Sequence, residues 1–277
     1  MFRMKPHSFF LHLSVTLLAL LLTACNVPAN VPAPAPTETS PNPVDTAAPT
    51  EAPAEEAGQG APAVTIDLNG VAQDFTSQVI EAVPASADHP WWEAMPQYMQ
   101  LTLQGYPISG HLMQAQIYVY PVEDLGVKEV AGQVPESLQA LLQSQQAGDL
   151  IPYLPPYNAA QVMHAQVGYL DFKNGSGVRY LTQFDQAVLA INNYELHYTF
   201  QGLTSDGKYY VAAVLPVNLP GLPADGNVDL DNPPANFVED FPAYLAGTVD
   251  MLNGQPASAF TPDLSTLDAM MGSLEIK

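Results

Sequence analysis

The chain has 277 residues, with 28 acids against seven basic residues and a formal net charge of −21 at pH 7. A field of that sign makes nucleic acid and anionic lipid surfaces poor partners. Cys25 is its one cysteine, so an intramolecular disulfide is excluded.

The first 25 residues carry Arg3 and Lys5, an apolar run over 9–22, then Leu22-Thr23-Ala24-Cys25. A basic start, a short apolar core and small residues before a cleavage point are the pattern of an export signal. His12, Ser14 and Thr16 interrupt the core, which is too short for a comfortable membrane span. Leu22-Thr23-Ala24-Cys25 resembles the lipobox of bacterial lipoproteins. That resemblance implies a signal peptide over 1–24, diacylglycerol on the Cys25 thiol, and further acylation (palmitate, for example) of the new amino terminus. Two or more acyl chains make a stable anchor, at about 0.8 kcal/mol per buried methylene. The expected location is the extracytoplasmic face of a cell membrane, within the cell envelope. With Cys25 lipidated, thiol catalysis and cysteine-ligated zinc go as well.

Residues 25–63 read as a lipidated cysteine followed by a disordered tether. Pro28, Pro32, Pro34, Pro36, Pro41, Pro43, Pro49, Pro53 and Pro62 alternate with Ala, Thr, Ser and five acids, without aromatic or basic residues. Such a composition buries too little apolar surface to offset ordering entropy, and favours polyproline II.

The remaining 64–277 suit a single α+β domain. It keeps 23 acids and five basic residues, a net charge near −18. Period-two alternation predicts strands over 64–68, 75–83, 98–103 and 112–120. Two hairpins follow. One runs 162–172 into 178–184 through Asn174-Gly175-Ser176-Gly177, whose glycines are expected to supply positive φ. The other runs 194–203 into 209–217 through Ser205-Asp206-Gly207. Helices are expected over 135–146, 237–252 and 261–271, the last with Thr261 as N-cap and Pro262 at N1. Residues 273–276 read as a short returning strand. Hairpins with helices grouped elsewhere predict an antiparallel sheet with helices packed on it, in two layers.

Three stretches carry a likeness: Gly177-Val178-Arg179-Tyr180-Leu181-Thr182-Gln183-Phe184, Ile191-Asn192-Asn193-Tyr194-Glu195-Leu196, and Phe200-Gln201-Gly202-Leu203-Thr204-Ser205-Asp206-Gly207-Lys208-Tyr209-Tyr210-Val211. They resemble a family of uncharacterised bacterial lipoproteins over most of 64–277. That family lends no activity and no site residues. Residues 260–276 also resemble the closing helix and strand of PsbP/Mog1-like lipoproteins, a likeness of fold alone.

The motifs for chemistry are sparse. There is no Gly-x-Ser-x-Gly elbow, and His89, His111, His164 and His197 are not at metal-ligand spacing. Paired carboxylates for hydrolysis fit a chain this acidic, but no acid stands in a context that singles it out. Asp225, Asn227, Asp229 and Asp231 place oxygens at alternate positions, as a calcium loop does, though Leu230 and Asn236 depart from the EF-hand pattern. The other reading is a solvated acidic loop. Trp91 and Trp92 are adjacent and suit either sugar stacking or cover for a core edge.

These features point to a membrane-anchored binding or interaction module rather than an enzyme, with no cofactor other than the calcium of that loop. Glu195, His197, Thr199 and Gln201 alternate with Tyr194, Leu196, Tyr198 and Phe200, so they are expected to share an outer, ligand-facing sheet surface with Gln100, Thr102, Gln114 and Gln116. The partner would be an envelope protein or a small ligand. A cell-envelope hydrolase using paired carboxylates and a purely structural envelope component are the alternatives.

Overall fold

A computed structural model describes residues 62–84, 86, 92–125 and 133–277. Cys25, the expected export signal and the expected tether up to residue 61 lie outside these residues. The described residues belong to one compact unit.

The fold is α+β. Seven strands form one antiparallel sheet: β2 (Asp74–Ile80), β3 (Tyr98–Gln104), β4 (Gln116–Pro121), β5 (Ala160–Phe172), β6 (Gly175–Asp185), β7 (His197–Thr204) and β8 (Tyr209–Pro216). Their order is β2-β3-β4-β8-β7-β6-β5. Two meanders are therefore joined at the centre, where β4 pairs antiparallel with β8. A separate pair joins β1 (Val64–Thr65) to β9 (Glu275–Ile276). Between β4 and β5 the chain must pass over β8, β7 and β6. It does so through α1 (Val122–Leu125), α2 (Val134–Ser144) and an irregular strap over 149–158.

That crossover corrects the two-layer expectation. Helices α3 (Phe241–Asn253) and α4 (Leu264–Gly272) cover one face, where Tyr244, Leu252, Leu264 and Met271 join Leu101, Ile117, Tyr198 and Phe200. On the other face Leu138 and Leu141 of α2, with Ile151 and Leu154 of the strap, join Tyr118, Tyr120, Tyr180 and Tyr210. The sheet is the middle of three layers. The unbroken apolar run at 209–217 reflects this: Tyr210 to Leu215 are all within 1% of full burial, as a strand covered on both sides requires.

Local chemistry sets the helix ends. The Asp240 side chain accepts from the Ala243 N–H and starts α3, so residues 237–240 fall outside the helix expected there. Asp263, rather than Thr261, caps α4 by accepting from the Ser265 N–H. Gln145 closes α2 in the left-handed conformation at φ 51°. In the second hairpin Gly207 has φ 72°, as the turn demands. The first hairpin is different. Gly175 and Gly177 belong to β6 and lack positive φ; they are needed for space, because the Phe172 and Phe200 rings lie against them.

One further contact fixes α4. Asp268 is 3.3 Å from Arg179 Nε and accepts from the Tyr198 hydroxyl at 3.0 Å. The Arg179 guanidinium also donates to the Gln166 carbonyl at the bulge of β5, whose side chain in turn caps the end of α3 at Leu252 and Gln255.

Candidate functional site

The expected ligand-facing surface of β7 is not exposed. His197, Thr199 and Gln201 are fully buried and Glu195 is half-buried. They do share the face opposite Tyr198 and Phe200, but the strap lies on it. A polar face can be buried only if its groups find partners, and the strap supplies them. Gln201 Oε1 accepts from the Leu154 N–H (3.0 Å) and the Tyr210 hydroxyl (2.7 Å), while its amide donates to the Leu154 carbonyl (3.1 Å) and Thr199 Oγ1 (2.8 Å). Thr199 donates to the Ala213 carbonyl. His197 Nδ1 faces the Glu195 carbonyl at 2.9 Å, and a carbonyl only accepts, so Nδ1 carries the proton. Nε2 therefore accepts the Tyr153 hydroxyl at 2.9 Å. Burial pushes this imidazole down to about 4, leaving it neutral at physiological pH.

At its β3–β4 end the polar stripe is open to solvent, with Gln114 exposed and Gln100, Thr102 and Gln116 half-buried. There Gln116 donates to Thr102 and Gln114, and accepts from the Tyr118 hydroxyl at 2.6 Å.

Where the strap ends, a cleft of about 350 Å³ opens beside the last residues of β6 and the start of β7. Tyr157 and Phe184 form one wall, with ring centroids 5.4 Å apart, and the Tyr157 hydroxyl contacts Met113 Sδ at 3.3 Å. Leu189 lines the cleft from the loop that follows β6. Asp185 and Glu195 also line it, and among the described residues no basic side chain does.

A buried amide holds the two carboxylates together. Gln183 Nε2 donates to Asp185 Oδ2 at 2.9 Å and to Glu195 Oε2 at 3.3 Å, so the acids lie within two hydrogen-bond lengths of each other. Gln183 Oε1 accepts the Asn192 N–H, and the Asn192 amide donates to Glu195 at 2.6 Å. The Asn192 side-chain oxygen accepts from the N–H groups of Tyr194 and Glu195, which shapes the turn carrying Glu195 into β7. Asp185 is only 6% exposed, and its Oδ1 is buried without a partner. Burial, reinforced by the neighbouring Glu195 charge and opposed by the Gln183 hydrogen bond, raises its carboxyl to about 6.

The sign of that shift makes a prediction. A carboxyl raised in the folded state contributes stability below its unfolded value that is lost as pH rises through the folded value. Asp185→Asn should therefore match the wild type near pH 4 and become the more stable protein above about pH 6. Discounted for water in the cleft, the gain is on the order of 1 kcal/mol. Thermal melts between pH 4 and 8 check it; a stability difference independent of pH would show that Asp185 is not raised.

The other expected site residues do not converge on the cleft. Trp91 lies outside the described residues, and Trp92 is half-buried. Asp225 and Asp229 each turn a carboxylate oxygen onto the N–H two residues on, at Asn227 and Asp231. Among the described residues no three His, Cys, Asp or Glu side chains come together to hold a metal ion. Asp225, Asn227, Asp229 and Asp231 are exposed, and two of the carboxylates cap their own turns. Three larger hollows, of about 610, 420 and 390 Å³, lie elsewhere among the described residues.

Sequence reasoning named Glu195 but passed over Asp185, Gln183, Tyr157 and Phe184. The available signal was the amide and the acid that close β6, at Gln183 and Asp185.

Fold and cleft together define a three-layer α+β domain with an acidic, aromatic-walled cleft at one end of its sheet. Comparison with protein-family models, curated proteins and solved structures finds no match. Among the described residues no helix is long and apolar enough to cross a membrane.

Proposed function

We propose that this protein is a lipid-anchored, extracytoplasmic binding module that takes a small ligand in the cleft between Tyr157, Phe184, Asp185 and Glu195. The observation that carries the binding role is Asp185, a lining residue of an aromatic-walled cleft whose carboxylate keeps one buried oxygen, Oδ1, without a partner. A buried acceptor without a donor is costly, by about 1–3 kcal/mol, and a ligand donor would satisfy it. The anchor rests on Arg3, Lys5, the apolar run and the lipobox-like residues ending at Cys25, and the likeness to bacterial lipoproteins agrees with it. In this reading the proline-rich segment is a spacer between membrane and domain.

Cys25→Ser should abolish incorporation of labelled fatty acid and move the chain from the membrane to the soluble exported fraction. Equal labelling of the variant would refute lipidation at Cys25.

The cleft also supports a second reading, a cell-envelope hydrolase, because Asp185 and Glu195 are close and the Asp185 proton is held to about 6. Recovery of small molecules retained by the full chain from envelope extract separates the two. A binder returns them unaltered on denaturation, and a hydrolase returns cleaved products. Either outcome should vanish in Asp185→Asn. Neither retention nor turnover would leave a purely structural envelope component.

A further inference from the structure

Resting on the binding role just proposed, we infer that the cleft selects a protonated amine carried on an aromatic or alkyl body. The ammonium would sit against Asp185 and Glu195 beside the Gln183 amide, and the body against Tyr157 and Phe184.

Three observations fix the sign and shape of the ligand. The lining holds two carboxylates and no basic side chain, so its field favours a cation. Among the described residues Arg179, Lys208 and Lys277 are engaged elsewhere, with Asp268, Asp206 and Glu275. The amide donors already present leave Asp185 Oδ1 unsatisfied, and Glu195 accepts only through Oε2 in the network around it. An ammonium has three donors and no acceptor, which is what two under-supplied carboxylates require. Finally, the Tyr157 and Phe184 rings are half-buried at 5.4 Å, and Leu189 stands among the same lining residues. Aromatic faces attract cations as well as apolar groups, so the wall and the acids favour the same ligand. A metal ion fits less well: carboxylates from only two residues line the cleft, and hard cations take six or more oxygens.

The test uses the full chain in detergent at pH 7.5, with benzylammonium, its neutral isostere benzyl alcohol, and N-acetyl-lysine methylamide as probes. Binding is read by calorimetry and by shifts of the Tyr157, Phe184 and Leu189 resonances. Benzylammonium should bind saturably and at least tenfold more tightly than benzyl alcohol. Asp185→Asn and Glu195→Gln should each weaken it about tenfold, while Tyr157→Ala weakens both probes. Binding of the lysine derivative at equal strength would identify a peptide side chain as the source, and its failure a free amine. Equal affinity for benzyl alcohol would overturn the inference while leaving a binding cleft. No binding of any probe at millimolar concentration would overturn the inference and the cleft's binding role together.

Discussion

Gln201→Leu is expected to be one of the most damaging single substitutions in this domain, although the residue reads from sequence as part of a solvent face. The leucine would match the volume roughly but leave the Leu154 N–H, the Leu154 carbonyl and the Tyr210 hydroxyl without partners inside the core. Unsatisfied buried groups cost about 1–3 kcal/mol each. A loss of about 3–5 kcal/mol follows, a fall in Tm of roughly 10 °C for a domain this size. The strap over 149–158 should loosen first, since Gln201 is bonded to its backbone at Leu154. Gln114→Ala, at the exposed end of the polar stripe, should change stability by no more than about 0.5 kcal/mol. Similar melting curves for the two variants would show that the strap does not depend on Gln201.

Gly175→Ala should be damaging for the opposite reason, too much matter rather than too few bonds. A methyl there would collide with the Phe172 ring and with the Leu203 carbonyl oxygen. The ring can turn, but the carbonyl belongs to β7, whose Thr204 pairs directly with Gly175. Overpacking of this kind costs about 1–3 kcal/mol, and the upper end applies where backbone must move. Gly207→Ala tests the distinction between space and conformation. Its added methyl meets nothing within 4 Å, so its effect comes from the φ of 72° alone. Denaturant unfolding of both, with Phe172→Leu as a second-site change, checks the account. Full rescue of Gly175→Ala by Phe172→Leu would show that the carbonyl contact is unimportant.

These two residues also show where the sequence was legible. Strand β3 was readable from its alternation, and the β5–β6 and β7–β8 hairpins from strand-like runs on either side of short Gly-containing stretches, because such signals act locally. The closing elements were readable too: Gly272 ends α4, and Glu275–Ile276 returns as β9. Burial of the β7 polar residues was not readable. Alternation says which residues share a face, and only the long crossover between β4 and β5 determines that the face is covered. Glu195, His197, Thr199 and Gln201 were grouped correctly but assigned to water. Gly175 and Gly177 were misread because a glycine needed for clearance and one needed for positive φ look alike in one dimension. Asp185 was invisible among 23 acids, since its raised carboxyl depends on Gln183, Glu195 and burial assembled in three dimensions.

The β1–β9 pairing has a mechanical consequence. Ala63 and Lys277 exchange both backbone hydrogen bonds, at 2.9 and 2.8 Å, and Val64 and Thr65 pair with Ile276 and Glu275. The polypeptide therefore enters and leaves the domain at the same pole. Tension applied at residue 63 would thus be borne first by this two-residue ladder and by Asn174, which bonds Ile276, before it reached β2 along the chain.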